Sequence, residues 1–323
     1  MKNKIILISG DPNSINSEII YKSWKKLKKS LKKKIFVISN TRLLTQQFKK
    51  LKYPIKVVAI NDFNQKITDN SLKVLNVDVA FRNPFKVNKK NSSKFTISCL
   101  NYAHKLALNN NSLGIINCPI NKNLLKKKKI GVTEFLAKKC KIRKDAEVML
   151  IYNKKLAVSP ITTHIDLKDV SKKINISLIV NKVIKINSWY LQNFKKKPKI
   201  GILGLNPHNG ELRKSSEEKK KIIPAILKLK KLKINVFGPL VTDTIFMNWK
   251  DYDVIVGMYH DQVLTPFKTI FKFNAINITL GLKYFRASPD HGTAISLIGK
   301  NKANYFSLLN SINFLNNFKN EVC

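Results

Sequence analysis

Apolar and polar positions fall in blocks along the chain. Short runs rich in Ile, Val and Leu, bounded by turn-forming or charged residues, predict strands at 5–9, 35–39, 57–60, 114–117, 156–160, 199–203, 234–237, 253–257 and 275–280. Longer stretches with apolar residues at helical spacing between lysines predict helices at 17–33, 93–108 and 215–232. Alternating strands and helices predict an α/β fold with a largely parallel sheet, because parallel neighbours need a crossover and a helix supplies one. No internal repeat is present.

Length and composition refine this picture. A chain of 323 residues corresponds to roughly two domains of ordinary size. With 44% apolar residues it can bury a core without disulfide or metal staples. Only 11 Gly and 11 Pro are present, and no linker marks a domain boundary, so two domains would share chain crossings. The formal net charge is +42, which raises a nucleic-acid partner as a possibility. Against it, arginine occurs only at Arg42, Arg82, Arg143, Arg213 and Arg286; the other basic residues are lysines spread over the whole length. Base and phosphate recognition favours the planar arginine fork. The lysine runs at 126–129, 195–197 and 219–221 read as solvated surface. Cys99, Cys118, Cys140 and Cys323 are widely spaced, which fits free thiols in a reducing compartment. The opening apolar run is short for a signal peptide, and no run approaches the ~18 residues of a membrane span. The expectation is a cytoplasmic protein.

Candidate chemistry lies just beyond predicted strands. His164, His208 and His260 each follow one, in Thr162-Thr163-His164, Asn206-Pro207-His208-Asn209-Gly210-Glu211 and Tyr259-His260-Asp261-Gln262. Ligands of open parallel sheets bind at the carboxyl ends of strands, so the three imidazoles are candidates for one divalent-metal site with open positions for substrate. Singly, each histidine is better explained as a satisfied loop or core imidazole, and His104 sits in a helical pattern that reads as packing. His291 lies in Asp290-His291-Gly292-Thr293-Ala294, where Gly292 permits close approach of a ligand and the residues after it could open a helix. No GxGxxG follows any strand, and there is no P-loop and no GxSxG elbow. Lys268, Asn277 and Arg286 are polar candidates near the ends of late strand-like runs.

These motifs, with Cys118-Pro119-Ile120-Asn121-Lys122, Thr133-Glu134-Phe135-Leu136-Ala137, Gly238-Pro239-Leu240 and Asp243-Thr244, closely resemble the 4-hydroxythreonine-4-phosphate dehydrogenase family of pyridoxal phosphate biosynthesis. The resemblance runs from about Ile8 to Gly299. It implies a two-domain α/β/α fold like the isocitrate and isopropylmalate dehydrogenases. One domain, residues 1–128 plus 268–323, would be built from both chain ends. The other, 129–267, would bind metal and mediate dimerisation. It also implies a homodimer with the active site at the subunit interface. His164, His208 and His260 would bind a divalent ion such as zinc, cobalt or magnesium, one of them from the partner subunit. Thr133, Lys268, Asn277 and Arg286 would contact substrate, and Asp290–Ala294 would meet NAD or NADP.

The implied reaction is oxidation of 4-phosphooxy-L-threonine to a β-keto acid, which loses carbon dioxide to give 3-amino-1-hydroxyacetone phosphate. Asp243 is the candidate general base. Two departures stand out. Val132 occupies the position where the family has a substrate-contacting histidine, and Ser14 and Asn16 replace glycines of the first loop. Alternatives are a paralogue acting on a related hydroxy acid or diol, and, outside enzymes, a lysine-rich nucleic-acid-binding protein or a degenerate homologue.

Overall fold

The computed structural model describes residues 3–65, 67, 70–109, 112–125, 131–142 and 146–317. The lysine run 126–129, Arg143, Cys323 and the expected junction at 128–129 lie outside the described residues.

The chain separates into two compact units, Met1–Lys141 with Leu282–Lys319, and Ile142–Gly281. It enters the first through β1 (Ile5–Ile8), α1 (Asn16–Lys26), α2 (Lys29–Lys32), β2 (Ile35–Ser39), α3 (Thr41–Lys50), β3 (Val57–Ile60), β4 (Leu72–Asn76), α4 (Lys89–Leu108), β5 (Gly114–Asn117) and α5 (Val132–Lys139). The second contains β6 (Val148–Tyr152), β7 (Ala157–Pro160), α6 (Leu167–Lys173), α7 (Ile176–Phe194), β8 (Ile200–Leu203), α8 (Ile223–Lys231), β9 (Val236–Leu240), α9 (Thr242–Ile245), β10 (Val254–Gly257), α10 (His260–Phe271) and β11 (Ile276–Leu280). The chain then returns to the first unit as β12 (Arg286–Pro289) and α11 (Phe306–Asn317).

In the first unit the strands run β3-β4-β2-β1-β5-β12, every neighbouring pair parallel. All residues of β1, β2 and β5 are buried, the pattern of strands covered on both faces. Phe95, Cys99, Leu100 and Ala103 of α4 pack with Ile6, Ile8, Phe36 and Ile115 of the sheet. In the second unit the order is β11-β6-β7-β10-β8-β9. β6 is antiparallel to both neighbours, and β7, β10, β8 and β9 are mutually parallel. Here Val263, Leu264 and Phe267 of α10 pack on Ile151, Val158, Leu203 and Ile255. Helices α3, α4 and α7 start at Asn40, Asn88 and Asn175, whose side-chain oxygens each accept a first-turn amide at 2.9 Å.

The chain passes from the first unit to the second after Lys141 and returns after Gly281. α5 belongs with the first unit because Leu136, Val132 and Phe135 join its core. The residues from 268 to 281 belong with the second because β11 pairs β6 in register Ile276↔Tyr152 to Leu280↔Val148. The strand expected at 234–237 begins at Val236, since Ile234 still donates its amide to Leu229 at the end of α8. β4, β6 and β12 are additional strands. β4 is hidden in the sequence by Lys73, whose ammonium lies 4.0 Å from the centroid of the Phe36 ring. β12 reads Arg-Ala-Ser-Pro, with no branched apolar side chain, and is held by pairing with Ile115 and Ile116. Among the described residues no helix is long and apolar enough to cross a membrane.

Candidate active site

Strands β7, β10 and β8 lie side by side and parallel, so the loops that leave their carboxyl ends emerge on one edge of the second unit. Those loops carry His164, His260 and His208. The first two are brought together: their ring centroids are 5.9 Å apart. His164 is exposed and His260 half-buried as the first residue of α10. Asp261 Oδ1 lies 2.6 Å from His260 Nδ1. A carboxylate at Nδ1 makes that nitrogen the donor and leaves the Nε2 lone pair for a ligand, the usual arrangement behind a metal-bound imidazole.

His208 does not join this pair into a triad. Among the described residues no group of three His, Cys, Asp or Glu side chains is placed to hold a metal ion. His208 is exposed and has left-handed backbone angles (φ 48°, ψ 32°), as do Asn209, Gly210 and Glu211 after it. Such a run of mostly non-glycine residues is costly and needs support from its surroundings. The fully buried Glu218 supplies it, with Oε1 accepting from the amides of Leu205 and Asn206 at 2.7 and 2.8 Å. One exposed and one half-buried imidazole, with a carboxylate behind the second, have the donor chemistry that suits a divalent cation.

Lys268 is half-buried on α10, two turns beyond His260. Asn277 lies on β11, and its Oδ1 is buried with no hydrogen-bond partner among the described residues. Asp243 is exposed in the first turn of α9.

In the first unit Arg286, 3% exposed, is fixed from two sides. Its Nε donates to Asn117 Oδ1 at 2.8 Å and its Nη1 to Thr133 Oγ1 at 3.2 Å. Burial pulls the guanidinium down to about 10, against the attraction of the Glu134 carboxylate and of Tyr284, so it keeps its charge at neutral pH. Glu134 Oε2 is buried without a hydrogen-bond partner among the described residues. Gly131 makes room for it: a Cβ there would lie 2.6 Å from Oε2. Val132 opens α5 and packs against the core of the unit, a hydrocarbon side chain in hydrocarbon surroundings. His104 bonds Tyr284 Oη through Nδ1 at 2.8 Å, in keeping with a packing role.

The loop after β1 is built around Asp11, 4% exposed. Asp11 Oδ1 accepts from Asn13 N at 2.9 Å, and burial pushes its carboxyl up to about 6. Ser14 and Asn16 are integral to this loop. Ser14 Oγ donates to Asp11 O at 2.5 Å and accepts from Asn16 N at 3.1 Å, while Asn16 Nδ2 reaches Pro119 O at 2.8 Å. Ile15 N donates to Thr293 O at 3.2 Å and ties the loop to the segment 290–294. There, Asp290 N donates to Ser307 Oγ at 2.9 Å, His291 Nδ1 lies 3.0 Å from Gly292 O, and nothing lies within 4 Å of a Cβ placed on Gly292. The segment does not open an α-helix. Ala294 is left-handed (φ 43°) and is followed by a single 3₁₀ turn, Ile295–Leu297.

Sequence reasoning missed Asn117, Asp11, Asp261 and Glu218. Asn117 and Asp11 were open to discovery, since each ends or follows a clear apolar strand. Glu218 had no such signal, sitting next to Glu217 and three lysines in what reads as solvated surface.

The family model described as pyridoxal phosphate biosynthetic protein PdxA matches residues 31–315. A 4-hydroxythreonine-4-phosphate dehydrogenase of Aquifex aeolicus is 36% identical and aligns over 100% of both chains. A protein of Oceanobacillus iheyensis, assigned provisionally as a D-threonate 4-phosphate dehydrogenase, is 34% identical over 96% of each chain. The crystal structure of 4-hydroxythreonine-4-phosphate dehydrogenase from Klebsiella pneumoniae superposes with a TM-score of 0.83 at 28% identity, covering 97% of this chain and 98% of that one. Matched along its length in this way, the chain belongs to the PdxA family of pyridoxal phosphate biosynthesis, and the relatives it matches include 4-hydroxythreonine-4-phosphate dehydrogenases.

Proposed function

We propose that this chain oxidises 4-phosphooxy-L-threonine with NAD and a divalent metal ion, giving a β-keto acid that loses carbon dioxide to form 3-amino-1-hydroxyacetone phosphate. The observation that carries the proposal is the pairing of His164 with His260 at strand ends, 5.9 Å between centroids, in a chain that matches the family over its length. His164 and His260 would hold the ion. His208 of a second copy would complete the set in a homodimer, which accords with its separation from the pair within one chain. A divalent ion held there would supply Lewis-acid polarisation of the substrate hydroxyl, and a bound nicotinamide would supply the hydride acceptor.

The chain's own residues do the rest. Arg286 and Thr133 would bind an anionic group of the substrate, with Asn117 holding the guanidinium in plane. Lys268 would pair a second anionic group, and Asn277 Oδ1 would accept from a substrate donor. Asp243 would take the hydroxyl proton as the hydride leaves. The segment 290–294, tied to the β1 loop through Ile15 and Thr293, would face the cofactor. The protein would work in the cytoplasm.

The similarity to the Oceanobacillus protein favours one second reading, oxidation of a phosphorylated threonate. The two substrates differ in having an amino group or a hydroxyl beside the carboxylate. Initial rates of NADH formation with each, on the same preparation, test the proposal: it requires the higher kcat/KM for 4-phosphooxy-L-threonine, and the reverse order replaces it with the threonate reading.

A further inference from the structure

The three histidine-bearing loops of the second unit are joined by one chain of hydrogen bonds. Thr162, two residues before His164, donates to Met258 O from its amide at 3.1 Å and from Oγ1 at 2.7 Å. Met258, two residues before His260, donates its own amide to Gln262 Oε1 at 2.6 Å. Gln262, two residues after His260, donates from Nε2 to Gly204 O at 2.7 Å, four residues before His208. The same Nε2 donates to Thr242 Oγ1 at 2.9 Å, beside Asp243.

We propose that Gln262 is a positioning residue that sets the spacing of the His164 and His260 loops and ties them to the start of the loop that offers His208 to a second copy; the proposal rests on the metal-binding reading of those histidines. Gln262 is 6% exposed and both polar atoms of its amide are engaged, Oε1 accepting one bond and Nε2 donating two. A carboxylate would keep the acceptor and lose both donors, and a hydrocarbon would lose all three. The neighbouring backbone is cleared for it. At Gly257 a Cβ would lie 2.9 Å from Gln262 Oε1. At Gly204 it would overlap Asn209 Oδ1, within the fold of the His208 loop. Asn209 in turn donates from Nδ2 to Pro239 O at 3.0 Å. Each loop is therefore anchored within a few residues of its histidine, and metal geometry tolerates displacements of only about 0.5 Å.

The test is a cobalt(II) titration of the metal-free full-length protein, following the visible ligand-field bands, with His260→Ala, Gln262→Glu and Thr162→Val beside the wild type. Thermal unfolding of each metal-free variant is recorded as the control for folding. The wild type should bind cobalt and His260→Ala should lose it. Gln262→Glu should bind ~10-fold or more weakly with shifted bands, the range expected when support behind a metal ligand is removed. Thr162→Val, close to isosteric, should shift affinity and bands in the same direction, and it carries the test if Gln262→Glu fails to fold. Wild-type affinity and bands in the folded variants would overturn the positioning role while leaving the metal site standing. Absence of cobalt binding by the wild type, or binding unchanged in His260→Ala, would overturn the metal reading and the proposal with it.

Discussion

Arg286 donates from Nε to Asn117 Oδ1 at 2.8 Å, joining the first residue of β12 to the last residue of β5. Parallel pairing of the two strands sets Arg286 opposite Ile115, so the side chain reaches along the sheet toward the strand end where ligands bind. The bond orients a guanidinium that is nearly all buried. Asn117→Ala should therefore do two things. Leaving a buried donor unsatisfied should cost about 1–3 kcal/mol in denaturant unfolding. Loss of orientation should raise KM for the phosphorylated substrate more than it lowers kcat. An unchanged KM would show that Arg286 has a structural role only.

How much of this was legible in sequence follows from what each residue had to do. The histidines that follow β7, β8 and β10 could be placed because each strand shows as a short, largely apolar run and parallel strands end on the same side. Arg286 stood out from the lysine background, but its strand did not, because Arg-Ala-Ser-Pro is made a strand by its partner β5. Lys73 hid β4 for the same kind of reason, its charge being tucked beside an aromatic ring. Glu218 and Gln262 were not legible, since their roles come from amides and carbonyls far away in sequence. Val132 was visible as a departure from the family pattern, and its packing on the core gives the departure a physical setting.

Asp11 gives a pH signature. Burial raises its carboxyl from 3.8 to about 6, so the folded state holds the proton over a range where the unfolded chain has released it. The stabilising contribution of the protonated form is complete below about 4 and is lost as pH rises through about 6. Asp11→Asn removes this dependence. Its stability relative to wild type should grow between pH 4 and pH 6, by at most ~3 kcal/mol, and then level off. Chemical denaturation of both proteins across that range measures it. A difference that stays flat would mean that Asp11 is ionised in the folded protein throughout.

Gly10 turns the chain from β1 into the same loop with φ +76°, and a Cβ there would sit 2.5 Å from Asn16 Nδ2 and 2.6 Å from Pro119 O. Gly10→Ala combines a left-handed alanine with overlap against backbone, and should cost at least ~2 kcal/mol. Because Ile15 of this loop donates to Thr293, the variant should also weaken NAD binding, read as a higher KM for NAD. Wild-type stability in thermal unfolding would mean that the loop adopts another path.

The central claim is metal-dependent dehydrogenation by the strand-end histidines. Its most direct test is the absorbance of NADH formed from 4-phosphooxy-L-threonine and NAD by the purified protein, before chelation, after it, and after a divalent ion is restored. Turnover should stop on chelation, return with the metal, and be absent from His260→Ala under all three conditions. Turnover that persists through chelation, or no turnover at any metal concentration, would contradict it.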